Sequence, residues 1–135
     1  MKLKTFIFAA MFLLVNTEAL AWTSKPILNI EDEAIPAKFD GTARSLEEVR
    51  DAIAEGCRAK GWNPVSDSET QVNCSILVRG KHYAEVNIPF TESKYSILYS
   101  DSRVLDYDPE RKLIHRNYNK WVILLSGAIQ NQFLN

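Results

Sequence analysis

An alternation of apolar and polar residues runs through three consecutive segments in the central part of the chain. Every second side chain is apolar there, and this period places the apolar side chains on one face of a pleated strand. Turn-forming stretches at Gly80-Lys81 and at residues 91–94 separate the segments. We therefore predict three antiparallel strands with one covered face, and Trp62–Val65 is a candidate for a fourth. The predicted strands cover residues 72–78, 82–90 and 95–99.

Two segments with a helical period of three to four flank these strands. The first begins after Ser45, which can cap the free N–H groups of a helix, with Glu48 placed as in a capping box. Gly56 inside it is expected to allow close packing on the sheet, and Gly61 ends it. We expect Asn117 to cap the second helix. Both helices need to bury an apolar stripe, so we predict an α+β two-layer sandwich: an antiparallel sheet of three to four strands covered on one face by two helices.

The beginning of the chain has the organisation of a secretory signal peptide. A short cationic start precedes the apolar run Phe6–Val15, and the small residues of Ala19-Leu20-Ala21 follow. We expect cleavage between Ala21 and Trp22, because the apolar run is too short to span a bilayer. The mature protein is then periplasmic or secreted. The predicted organisation is a signal peptide over 1–21, an N-terminal arm or first strand over 22–44, and a single α+β domain over 45–135.

The chain contains two cysteines, Cys57 and Cys74. An even count in an oxidising compartment favours a disulfide, and both positions fall on predicted core-facing sides of neighbouring elements. Closing a loop of this length contributes on the order of 3 kcal/mol to stability. The alternative is a pair of small buried thiols.

Charge and composition narrow the classes of partner. The 16 basic and 17 acidic side chains leave a net charge of −1, which gives no electrostatic reason to expect nucleic acid or an anionic membrane surface. No apolar run after the leader is long enough for a transmembrane segment in the mature chain. The two histidines, His82 and His115, lack the spacing of a metal site. The acidic residues near Asp106 lack the order of a calcium loop, so we predict no cofactor.

Residues 100–116 are predicted to form a long polar loop surrounded by aromatic residues. Loops on a rigid scaffold often carry function, which makes this region the candidate binding site. The alternative is a core edge in which tyrosine hydroxyls form hydrogen bonds. No nucleophile–base arrangement can be read from the spacing, which argues against an enzyme. The candidate binding residues are His82, Tyr99, Asp101, Ser102, Tyr107, His115, Tyr118 and Trp121.

The second half of the chain also carries three spaced motifs. They are R-x-x-H-x-A-x-V-x-I from Arg79, Y-x-I-x-Y-x-D-S-x-x-L-x-Y from Tyr95, and I-H-x-N-Y-N-x-W from Ile114. Together they resemble a family of small exported proteobacterial proteins, many of them lipoprotein-like, whose function is not established. The resemblance implies a bacterial envelope protein and supplies no catalytic residues. The chain departs from the family in lacking a lipid-acceptor cysteine after the cleavage site and in having Arg116 where the pattern predicts proline.

These observations favour an exported, non-enzymatic binding module. Its partner is expected to be a protein or a component of the cell wall, held by the loop over 100–116 and its aromatic neighbours. The alternative is an inhibitor or immunity-type protein that acts against an envelope-directed toxin or hydrolase, since small size, export and a disulfide suit both roles. An enzyme is the least favoured of the three.

Overall fold

Residues 23–134 are described by the computed structural model, and they form seven strands and two helices. The predicted signal peptide and its cleavage site between Ala21 and Trp22 lie outside these residues. The strands are β1 (Ser24–Pro26), β2 (Ile30–Ala34), β3 (Asn63–Ser68), β4 (Gln71–Val78), β5 (His82–Pro89), β6 (Lys94–Arg103) and β7 (Leu113–His115). The helices are α1 (Leu46–Ala59) and α2 (Arg116–Gln132).

The main sheet has five antiparallel strands in the order β2-β6-β5-β4-β3. The α+β class is confirmed, and the candidate fourth strand is β3. The predicted number of three to four strands is wrong, because β2 adds a further edge strand. Strands β4, β5 and β6 match the alternating segments since one face of each is buried. Three of the five residues of β2 are acidic, and all but Ile30 are exposed, so no alternation marks it.

The predicted loop over residues 100–116 contains two strand segments. β6 continues to Arg103, and a register shift between Glu85 and Val86 of β5 allows the two strands to stay paired to that point. β7 pairs with β1, with Ser24 opposite His115, in a separate two-stranded sheet. The irregular connection is therefore residues 104–112. Sequence periodicity missed these segments because the end of β6 is largely exposed and β7 has three residues.

The helix ends follow the expected chemistry with one exception. The Ser45 hydroxyl accepts a hydrogen bond from the Glu48 N–H at 3.1 Å, and Gly61 adopts a left-handed φ of +79° just after α1. At α2 the predicted cap Asn117 is wrong. His115 is the cap, and its Nδ1 accepts a hydrogen bond from the Asn117 N–H at 3.2 Å. An unprotonated imidazole nitrogen serves as the acceptor that a serine or asparagine side chain usually supplies.

The core lies between the main sheet and the two helices. The predicted disulfide is present: Cys57 of α1 and Cys74 of β4 are bonded, with Cα atoms 6.6 Å apart and both side chains fully buried. Gly56 was expected to allow close packing on the sheet, but it allows close packing on α2. A Cβ at this position would lie 2.7 Å from the Ile129 Cα. Within residues 23–134, neither helix is long and apolar enough to cross a membrane.

Candidate functional site

A cleft of about 550 Å³ opens where the N-terminal arm passes β6 and the 104–112 loop. We call it the tyrosine cleft. Its volume lies within the range of roughly 300–1,000 Å³ that is common for small-ligand sites. Its apolar lining is Ile27, Tyr99 and Tyr107, and its polar lining is Asn29, Ser100, Asp101 and Lys112. Aromatic rings and both signs of charge are thus available to one ligand.

Tyr99 and Tyr107 form the aromatic wall of the tyrosine cleft, and the buried Tyr118 supports Tyr99 from behind. The ring centroids of Tyr99 and Tyr107 are 4.5 Å apart, and those of Tyr99 and Tyr118 are 5.6 Å apart in an edge-to-face arrangement. The Tyr99 hydroxyl is within hydrogen-bond distance of the Ser102 Oγ, at 2.7 Å. Burial raises the pKa of Tyr99 and that of the fully buried Tyr118, so both hydroxyls are neutral at physiological pH.

The N-terminal arm supplies the opposite side of the cleft and is fixed by side-chain amides. The Asn29 Oδ1 accepts a hydrogen bond from the Tyr99 N–H at 2.9 Å. The Asn119 amide of α2 accepts from the Leu28 N–H at 3.0 Å and donates to the Pro26 carbonyl at 2.9 Å. These bonds join residues that are 70 to 93 positions apart. Sequence analysis missed Asn29 because no local pattern indicates such a pairing.

The 104–112 loop is held in an unusual backbone conformation. Val104, Asp106 and Lys112 have φ values of +58°, +52° and +55°, in the left-handed region that costs a β-branched residue most. The Val104 side chain is 60% exposed, so little apolar burial offsets that cost. The His82 Nδ1 lies 2.9 Å from the Val104 carbonyl, which can only accept, so Nδ1 is the donor. This contact helps to hold the loop beside the cleft.

The structure brings some of the predicted binding residues together and separates others. Tyr99, Asp101 and Tyr107 line the tyrosine cleft. Ser102 and Tyr118 contact Tyr99 and support it. The remaining three do not line the cleft. His82 contacts the loop backbone, His115 caps α2, and Trp121 packs against the core.

The chemistry of this arrangement suits binding. The Ser102 hydroxyl is hydrogen-bonded to the Tyr99 hydroxyl. The Nδ1 atoms of His82 and His115 form hydrogen bonds with backbone groups. Within residues 23–134, no three His, Cys, Asp or Glu side chains are grouped as metal ligands. What the cleft offers is an aromatic wall with a carboxylate from Asp101 and an ammonium from Lys112. These groups can orient a ligand that has apolar faces and charged ends.

A larger cavity, of about 720 Å³, lies between the loop after β2 and the end of α2. Arg44 connects the two sides of this cavity. Its guanidinium donates hydrogen bonds to the Pro36 carbonyl at 2.9 Å and to the Phe133 carbonyl at 2.7 Å. The Phe39 side chain on the rim is completely exposed. Sequence analysis did not single out Phe39, since a lone phenylalanine in a loop carries no pattern.

No family model, curated protein or solved structure matches this chain. The structure nevertheless gives the residues of the I-H-x-N-Y-N-x-W motif definite positions. Ile114 and Tyr118 are buried, His115 caps α2, and Asn119 fastens the N-terminal arm. The motif therefore organises the region that builds the tyrosine cleft.

Proposed function

We propose that this protein is an exported envelope protein that acts as a non-enzymatic binding module and holds a cell-wall partner in the tyrosine cleft. The observation that carries the proposal is the cleft itself. The rigid Tyr99–Tyr107 stack shares it with the side chains of Asp101 and Lys112. Aromatic rings pack against the apolar faces of sugars and short peptides, and the two charged groups select ligands with an amine and a carboxylate.

The size and shape of the site favour a cell-wall fragment over a protein surface. A concave site of about 550 Å³ encloses a sugar unit or a few peptide residues, whereas protein interfaces are broad surfaces. Peptidoglycan presents such short units, with sugar rings, free amines and carboxylates. The leader-like sequence and the Cys57–Cys74 disulfide agree with a role outside the cytoplasm.

The test is calorimetric titration of the processed protein with soluble disaccharide-peptides released from peptidoglycan. We expect binding that Tyr107→Leu and Lys112→Asn each weaken at least tenfold, because each removes a group that lines the cleft. Asparagine tolerates the left-handed backbone at position 112. The matched control is Lys81→Asn, which removes an exposed lysine in the β4–β5 turn and is expected to leave binding unchanged. Absence of binding, or equal weakening by all three variants, would contradict the proposal.

The second candidate function is an inhibitor or immunity-type protein, and the exposed Phe39 favours it. A single aromatic side chain that stands free of its own protein can act as an anchor in a pocket of a partner. The measurement is the rate of peptidoglycan hydrolysis by a purified muramidase with and without this protein. Inhibition that disappears in Phe39→Ala and persists in Tyr107→Leu supports this function, and an unchanged rate contradicts it for that class of hydrolase.

A further inference from the structure

One face of the main sheet is turned away from the helices, and we call it the open face. Its side chains alternate with the buried ones along β3, β4, β5 and β6. Val65 and Leu77 on this face are 55% and 61% exposed. Four strands with about six residues each present roughly 400 Å² at ordinary strand spacing. That is about half of what one partner contributes to a standard protein interface.

A fixed carboxylate lies at the centre of the open face. The Glu85 Oε1 accepts a hydrogen bond from the Asn73 side-chain amide at 2.9 Å, and the Oε2 accepts one from the Tyr83 hydroxyl at 2.8 Å. The Asn73 amide also donates to the Asn87 Oδ1 at 2.7 Å. These bonds, that of Asn73 foremost, lower the pKa of Glu85. The carboxylate is therefore ionised and held in one orientation before any partner arrives.

The charge of Glu85 is not matched by an ion pair in the part of the chain that the structure describes. The nearby Arg103 guanidinium lies over the Tyr83 ring, 4.3 Å from its centroid. The Ser100 hydroxyl and the Arg103 charge also lower the pKa of Glu85. A carboxylate has about four acceptor positions, so these protein donors leave room for a further one. A cationic donor from outside the molecule would complete the hydrogen bonding of Glu85.

We propose that the open face docks a protein partner and that Glu85 receives a lysine or arginine side chain of that partner. Charge complementarity fixes the type of anchor, and the exposed Val65 and Leu77 provide apolar contact beside it. Tyr83 and Arg103 belong to the residue types that dominate binding energy at interfaces. Because the hydrogen-bonded network is already ordered, docking costs little side-chain entropy.

A protein with a basic anchor fits this surface better than a second copy of the chain. A twofold contact centred on Glu85 would bring two like carboxylates together. The open face is a pleated surface of four strands, so a broad partner suits it. The two surfaces adjoin, because Asp101 lies opposite Glu85 in β6 and also lines the tyrosine cleft. They can be tested separately, since Tyr107 and Lys112 lie outside the network around Glu85.

The experiment compares proteins captured from envelope extract by the processed wild-type protein and by Glu85→Gln. Glutamine keeps the size and an acceptor oxygen, so the fold is expected to persist, and its unfolding midpoint is measured first. We expect one protein to be depleted at least tenfold on Glu85→Gln and retained on the control Asp51→Asn, an exposed carboxylate of α1. With that protein purified, Glu85→Lys should abolish binding, and reversal of one basic residue of the partner to glutamate should restore it.

Several outcomes would overturn the proposal. The first is that Glu85→Gln depletes no protein from the captured set. The second is that the depleted species is this chain itself or a glycan. The third is that charge reversal at no basic residue of the partner restores binding to Glu85→Lys. Tyr107→Leu separates this inference from the proposed function. Tyr107→Leu should weaken the binding of cell-wall fragments and leave the binding of the captured protein unchanged. Glu85→Gln should weaken the binding of the captured protein and leave that of cell-wall fragments unchanged.

Discussion

Tyr118 is one of the largest fully buried side chains in the protein, and its hydroxyl has no hydrogen-bond partner among the described residues. A buried hydroxyl without a partner costs about 1–3 kcal/mol of stability. Tyr95 is a close comparison, because it is also buried but its hydroxyl lies 2.8 Å from the Ser126 Oγ and accepts from Gln130 at 3.1 Å. The two residues differ mainly in whether the hydroxyl is satisfied.

We expect Tyr118→Phe to raise the free energy of unfolding by about 1 kcal/mol, because it removes an unsatisfied polar group and keeps the ring. Tyr95→Phe should lower it by about 1 kcal/mol, since it breaks hydrogen bonds and leaves Ser126 without this partner. Urea denaturation of both variants measures the difference. A loss of stability in Tyr118→Phe as large as that in Tyr95→Phe would contradict the interpretation.

Alkaline pH tests the same residue. Burial raises the pKa of Tyr118 in the folded protein, whereas in the unfolded chain the phenol ionises near its ordinary value of about 10. Below pH ~10 the phenol is neutral in both states, so its ionisation does not affect stability. As the pH rises above that value, ionisation favours the unfolded chain and the free energy of unfolding falls. We expect the free energy of unfolding to fall less steeply above pH ~10 in Tyr118→Phe than in the wild type. Equal slopes would contradict this.

At the scale of elements, two glycines show how the helices are placed. A Cβ on Gly56 of α1 would lie 2.6 Å from the Ile129 Cγ1 and 2.7 Å from the Ile129 Cα in α2. Gly127 lies in α2, and nothing would be within 4 Å of a Cβ there. Of these two glycines, Gly56 is therefore the one that permits the close approach of the helices.

The two glycines make a matched pair of substitutions. Gly56→Ala should lower the free energy of unfolding by about 2 kcal/mol despite the better helix propensity, because the backbone of α2 has to move. Gly127→Ala should raise it by about 1 kcal/mol, which is the propensity difference alone. Thermal or chemical denaturation measures both. Stabilisation by Gly56→Ala would show that the helices are farther apart than described.

The same scale shows what the sequence can reveal. The central strands can be predicted from the alternation of apolar and polar residues, because one face of each strand is buried, as between Val72 and Val78. The helix α1 can be predicted from its helical period and its capping residues. The edge strand β2 cannot be predicted in this way, since its acidic residues are exposed. Tyr99 and Asp101 were predictable as the end of an aromatic strand. Asn29 was not, because its contact with Tyr99 spans 70 positions.

At the scale of the whole molecule, the Cys57–Cys74 disulfide joins α1 to the main sheet inside the core. Cys57→Ala combined with Cys74→Ala should lower the free energy of unfolding by about 3 kcal/mol, because the unfolded chain gains the freedom of the opened loop. Denaturation of the double variant beside the oxidised wild type measures this. Equal stability of the two proteins would show that the bond adds nothing to the fold.

The pairing of β1 with β7 and of β2 with β6 has a consequence for synthesis. The ribosome releases the amino-terminal strands first, yet their partners come from the last third of the chain. Such distant pairings delay folding. β2 remains without its partner until β6 has emerged, and β1 until Leu113–His115 has emerged. Late pairing of the amino-terminal strands agrees with the proposed export, because a narrow translocation channel accepts unfolded polypeptide.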